Sequence, residues 1–149
     1  ALRDDDVLKC SFSTAYEWFR ALEAAGLYTQ TREDMMRWAD LPQQGNTTCP
    51  ETPEDARSEC HAWSALPIYE FLRVMGGVRM EKGQVIVTPP VGYLKDYSGE
   101  IWVPGGLAQF RFADGAYTVM LPQGTAGILR HPDGRELPLS GGRLYTYKT

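Results

Sequence analysis

The sequence predicts an α+β multidomain chain, a helical N-terminal piece followed by a small antiparallel β-sandwich, and three observations carry that expectation. Residues 1–75 hold two of the fifteen glycines, whereas residues 76–149 hold thirteen. Helix interiors tolerate glycine poorly and turn-rich β structure uses it freely, so the architecture changes near Gly76-Gly77. Net charge changes at the same place, from −6 in the first piece to +2 in the second. Two Asp-Gly dipeptides, Asp114-Gly115 and Asp133-Gly134, lie in the second piece beside apolar runs and signal hairpins. The expected domains are therefore 1–75 and 76–149.

Within the helical piece, Thr14-Ala-Tyr-Glu17 fits a capping box, with the glutamate three residues after a hydroxyl N-cap. Trp18, Leu22 and Ala25 follow at helical spacing, and Gly26 stands where a helix C′ residue belongs. A second helix is expected from Thr31, where Glu33 and Asp34 favour the positive end of the helix dipole. Met35, Met36 and Trp38 form its apolar side, and Pro42 follows its end. A third is expected from near Ser58 to Met75, with a kink or a later start forced by Pro67.

In the β piece, Gln84–Thr88 is a β-branched run stopped by Pro89-Pro90. Residues 107–112 alternate, Asp114-Gly115 turns the chain into 117–121, and 127–131 and 143–148 supply further strands. Five to seven short strands with regular turns predict an antiparallel sandwich. Tyr93, Tyr97 and Trp102 could offer flat faces to a sugar, but rings that simply cover the sheet are the commoner arrangement.

Composition bounds the function. At 149 residues, with 43% hydrophobic and 23% charged residues, the chain matches an ordinary folded protein. A net charge of −4 supplies no basic field, so nucleic acid is not an expected partner. Charged residues or glycines interrupt every apolar run, so no membrane span is expected. Residues 1–9, with three consecutive acids and no apolar run, do not read as a signal peptide. Cys10, Cys49 and Cys60 are too few for a disulfide framework. Three short helices rich in Trp18, Phe19, Trp38, Trp63, Tyr69 and Phe71 do not make a convincing closed bundle. Their apolar faces lead to the expectation that the chain is part of something larger, or associates with itself.

The segment 40–61, DLPQQGNTTCPETPEDARSECH, is the most unusual in the chain. A loop of this length between helices exceeds the usual range, and long ordered loops are often functional. Cys49, Cys60 and His61 do not read as a zinc site, since C-x10-C-H fits no standard ligand spacing and lacks a fourth ligand. No metal or other cofactor is expected.

Gly45-Asn-Thr47-Thr48-Cys-Pro-Glu51, followed by Arg57-Ser58-Glu-Cys-His61-Ala-Trp63-Ser64, resembles the bacterial α-L-rhamnosidases of glycoside hydrolase family 78. The resemblance implies that residues 1–75 are the terminal helices of an (α/α)6 barrel, including the catalytic-base loop, and that residues 76–149 are the C-terminal β-sandwich. It implies an inverting glycosidase acting on rhamnose-containing oligosaccharides or glycosides. In such an enzyme one acid protonates the leaving oxygen while a second carboxylate activates water, the two standing about 6.5–9.5 Å apart. Glu51 takes the place of the general base, with Thr47 and Thr48 as candidate donors that orient it. His61 matches a sugar-contacting histidine, and Trp63 could flank the sugar. Without the resemblance, Glu51 would read as a surface loop acid, His61 as a helix-start histidine and Trp63 as core. Arg57 is expected to pair with Glu54 or Asp55 and pin the loop. Cys49-Pro50 departs from the family pattern, in which aromatic residues often precede the glutamate.

The resemblance further places the general acid upstream of residue 1, so the isolated chain is expected to be inactive. It points to a periplasmic or secreted location and leaves the cytoplasm open. The alternative expectation is a non-catalytic carbohydrate-binding or barrel-capping module.

Overall fold

A computed structural model describes residues 10–54, 56–90 and 92–148. The chain divides into two compact units, Ala1–Ile68 and Tyr69–Thr149, so the division falls a few residues before Gly76-Gly77. Among the described residues no helix is long and apolar enough to cross a membrane.

The first unit contains α1 (Ala15–Ala24) and α2 (Thr31–Ala39), joined by a 3-10 turn at Tyr28–Gln30. The capping box expected at the start of α1 does not form. Thr14 has helical backbone angles (φ −82°, ψ −11°) and makes no side-chain cap. Its amide instead donates to Ser11 Oγ at 3.2 Å, and the Ala15 amide reaches the Ser11 carbonyl at 3.1 Å. A turn at 12–14 thus leads into the helix and moves the hydroxyl cap back to Ser11. The far end follows expectation. Gly26 takes φ +71°, and the Leu27 and Gly26 amides donate to the Leu22 and Glu23 carbonyls at 2.8 and 3.1 Å. These are the two bonds of a Schellman motif.

α2 starts at Thr31 as predicted, and the Thr31 hydroxyl donates to the Tyr28 carbonyl at 2.8 Å. Met35 and Trp38 are buried, while Met36 is exposed. The apolar faces find more cover than the sequence suggests. Phe12, Phe19, Tyr28 and Trp38 are buried together, with Phe12–Trp38, Phe19–Trp38 and Phe19–Tyr28 ring centroids 4.5, 6.3 and 6.5 Å apart. Trp18 is half-buried and donates its indole N–H to Asp34 Oδ2 at 3.0 Å. Phe12, which the helical pattern leaves out, completes this small core. The third helix starts late, as Pro67 allows: a 3-10 turn at Ala62–Ser64 precedes α3 (Leu66–Tyr69), which widens into π-type turns over Glu70–Met75.

The second unit is a sandwich of two four-stranded sheets. One has the order β1 (Val78–Glu81), β2 (Gln84–Val87), β6 (Ala126–Arg130), β7 (Glu136–Ser140); the other β3 (Tyr97–Val103), β4 (Gly106–Ala113), β5 (Ala116–Met120), β8 (Leu144–Lys148). One pairing corrects the expectation of a purely antiparallel sandwich: β2 and β6 run parallel, with Ile86 opposite Ile128. The chain leaves β2 at Pro89-Pro90, builds three strands of the other sheet, and returns beside β2 in the same direction. Parallel neighbours need such a long connection.

Both sheets feed one core, Val78, Val85, Val87, Leu129 and Leu139 from the first and Val103, Ala108, Phe110, Tyr117 and Val119 from the second. Burial of each large side chain in it contributes about 1.5–3 kcal/mol. Tyr97 and Tyr117 donate their hydroxyls to the Met75 and Gly76 carbonyls at 2.5 and 2.6 Å, satisfying the end of the helix. Burial raises both phenol pKa values. Gly77, at φ +69°, cannot be replaced without cost, because a Cβ there would collide with the Thr88 carbonyl oxygen.

Candidate functional site

Among its described residues the loop after α2 contains no strand or regular helix before Ala62, yet a set of cross-loop bonds gives it a shape. The Glu51 amide donates to the Ser58 carbonyl at 2.9 Å, and the His61 amide to the Cys49 carbonyl at 2.8 Å. Between them the Thr48 hydroxyl donates to the Glu59 carbonyl. At the tip the Thr52 hydroxyl donates to the Glu54 carbonyl at 2.7 Å, and Pro50 and Pro53 limit the backbone on one arm. Residues 48–54 and 56–61 thus lie against each other as the two arms of an irregular hairpin. Trp38, on α2, anchors its far end by donating its indole N–H to the Ser64 carbonyl at 2.6 Å.

Glu51 sits on one arm with a side chain only 17% exposed. Arg57 engages both of its oxygens, Nε to Oε2 at 3.1 Å and Nη2 to Oε1. Such a two-point pair is the strongest geometry available to a guanidinium and a carboxylate. The hydrogen bonds from Arg57 hold the Glu51 carboxyl below its ordinary value of 4.5, against partial desolvation, and the charges of Arg57 and His61 act in the same direction. Arg57 itself is 85% exposed, so it can leave without opening a core.

Two expectations are corrected here. Arg57 pairs with Glu51 rather than with Glu54, across the arms that the Glu51 amide to Ser58 carbonyl bond brings together; Asp55 lies outside the described residues. Thr48 does not orient the Glu51 carboxylate, since its hydroxyl is used on the Glu59 carbonyl. Thr47 is exposed.

His61 is half-buried at the end of the arm opposite Glu51, and Trp63 stands beside it, ring centroids 6.2 Å apart and nearly perpendicular. Trp63 is 80% exposed, so within this chain it is not core. An ionised carboxylate, an imidazole and a bare indole therefore share one loop. Among the described residues no group of three or more His, Cys, Asp or Glu side chains could hold a metal ion.

In the sandwich, Tyr97 is committed to the core, packing on Phe110 and Phe112 at 6.4 and 5.7 Å, and Tyr93 is half-buried. Trp102 is 76% exposed. A shallow depression of about 480 Å³ lies across β3, β4, β5 and β8, lined by Glu100, Gln109, Arg111, Met120 and Leu144 among others.

No protein-family model and no curated protein sequence matches the chain. Among solved structures it is similar to the native α-L-rhamnosidase of Aspergillus terreus, with a TM-score of 0.68 and 17% sequence identity. The match covers 87% of this chain and 18% of that one, so the chain spans under a fifth of the length of the structure it resembles. At this identity the likeness is one of fold: the chain has a rhamnosidase-like fold over most of its length.

Proposed function

We propose that this chain is the C-terminal part of an inverting α-L-rhamnosidase-like glycoside hydrolase of family 78, in which residues 1–75 are barrel helices and Glu51 is the general base. The observation that carries the reading is the arrangement of the 45–64 loop, where Arg57 pairs with the Glu51 carboxylate at two points and His61, on the facing arm, lies against the exposed Trp63. A base must be deprotonated at working pH and reach its water. Arg57 keeps Glu51 ionised and, being exposed, can yield one carboxylate oxygen to a water. His61 offers a donor or an acceptor to a ring hydroxyl, and Trp63 offers a flat face.

Under this reading the proton donor lies outside the chain, and one carboxylate of a two-carboxylate mechanism cannot run the reaction. The test is hydrolysis of an aryl α-L-rhamnoside. The 149-residue chain should show no turnover, whereas the full-length enzyme should be active and lose that activity in Glu51→Gln. Turnover by the isolated chain that disappears in Glu51→Gln would overturn the proposal.

A second reading has one observation in its favour. Exposed Trp102 and the depression on its sheet suit a non-catalytic carbohydrate-binding module. Binding of a rhamnose-containing oligosaccharide that Trp102→Ala abolishes and Glu51→Gln leaves intact would favour it.

A further inference from the structure

The cross-loop bonds that shape the Glu51 loop also bracket its two cysteines. The His61 amide donates to the Cys49 carbonyl at 2.8 Å, and the Thr48 hydroxyl reaches the Glu59 carbonyl, so Cys49 and Cys60 occupy neighbouring places on opposite arms. The Ser58 hydroxyl, at 3.2 Å from the Cys60 carbonyl, adds a local turn on the second arm. The 49–61 and 48–59 bonds hold the two arms together on either side of Cys60, which brings it to the Cys49 arm, and a disulfide needs Cα atoms within roughly 4.4–6.8 Å. Both thiols are free in the structure, Cys60 exposed and Cys49 half-buried. The remaining cysteine, Cys10, stands before α1, where its carbonyl accepts from Arg37 Nη2 at 2.8 Å.

We propose that Cys49 and Cys60 are an oxidation site, a thiol pair that closes into an intraloop disulfide and clasps the segment carrying Glu51. The proposal rests on the backbone pairing of the loop and not on any catalytic role for Glu51. The chemistry is thiol–disulfide exchange with a small-molecule disulfide such as oxidised glutathione. The exposed Cys60 thiolate attacks the glutathione disulfide, forming a protein–glutathione bond and releasing one glutathione thiolate. The Cys49 thiolate then attacks the Cys60 sulfur, forming the protein disulfide and releasing the second. Two protein thiols lose two protons and two electrons, and oxidised glutathione takes up both to become two reduced molecules. Burial, and the nearby Cys60 charge, raise the Cys49 pKa, so the order of attack starts from Cys60.

The closed ring includes Arg57, which supplies a direct readout. Trypsin cuts after Arg37, Arg57 and Arg73, so a 49–60 disulfide links peptide 38–57 to peptide 58–73. The 149-residue chain, in a Cys10→Ser background, is equilibrated with a reduced/oxidised glutathione buffer, alkylated and digested, both native and unfolded in urea. The expected result is the linked pair of peptides, two hydrogens lighter than their sum, with native closure favoured over the unfolded chain by roughly tenfold or more, because folding raises the effective concentration of one thiol at the other. Peptides that stay unlinked, that carry glutathione on each cysteine, or that link no better in the native chain than in urea would overturn the proposal. The Glu51→Gln variant should close equally well, so a failure of the catalytic reading leaves this result in place.

Discussion

The helical unit and the sandwich hold their residues by different means. In the sandwich, alternation along β4 and β5 sends Ala108, Phe110, Tyr117 and Val119 inward, and continuous ladders fix every register. In the loop that carries Glu51, His61 and Trp63, no ladder exists; a few backbone bonds, two prolines and one ion pair set the shape. The contrast teaches where precision is kept and where adjustment is allowed. A hydrophobic core resists displacement over its whole extent, whereas the 85% exposed Arg57 can release Glu51 at the cost of one surface contact.

Substitutions in the loop and in the sandwich core should separate activity from stability. Under the proposed function, Glu51→Gln in the parent glycosidase should lower kcat by about 10²–10⁴-fold, the usual share of a general base, with modest change in KM. Steady-state kinetics on an aryl rhamnoside check this, and thermal stability should stay nearly unchanged. Truncating a sandwich core residue should do the opposite. Phe110→Ala, which removes a ring packed on Tyr97, should cost about 3–5 kcal/mol of stability in denaturant unfolding.

Tyr117→Phe probes a single buried bond. It leaves the Gly76 carbonyl without the hydroxyl it accepts from, a loss of about 1–3 kcal/mol. Under the same proposal, Arg57→Gln should move the acid limb of the parent's kcat/KM profile toward higher pH. Arg57 lowers the folded-state pKa of Glu51, so its removal lets the base protonate sooner as pH falls. By the same linkage, whatever stability this pair contributes is present above the unfolded pKa and is lost as pH drops through the folded one. An unmoved limb would mean that the ion pair does not govern the titration. Arg130→Met, which breaks the exposed contacts to Glu81 and Glu136 at 3.0 and 2.9 Å, should leave the unfolding midpoint in denaturant nearly unchanged, the smallest effect of the series.

Much of this arrangement was legible in the residues. The glycine asymmetry separates helix from sheet, Thr31 opens its helix and Gly26 closes another because helix ends have strong chemical requirements. The β-branched run at β2 and both Asp-Gly turns lie where strands and hairpins form. Three strands escaped the pattern. β7 contains Pro138, which is tolerated because β7 is an edge strand, and β3 contains Gly99, where a Cβ would strike the Phe110 ring. β1 is short and follows directly on Gly76-Gly77.

At the site, the motif picks out Glu51, His61 and Trp63 as one segment. The pairing of Arg57 with Glu51 was not legible, because it depends on a 51–58 backbone bond in a segment with no periodicity to reveal it.

The parallel seam between β2 and β6 bears on the speed at which the sandwich assembles. Hairpins β1–β2, β3–β4–β5 and β6–β7 join strands that are close in sequence, and such local pairs close in about 1–10 μs. Val85 meets Gly127, and Ala116 meets Lys148, only after long stretches of intervening chain have been positioned. The entropy of closing those loops comes before any reward from the contacts, which places all-β topologies of this kind among domains that fold in about milliseconds to seconds. During that interval β2, with three buried residues in a row, is an unpaired apolar edge; β6 is the strand that covers it.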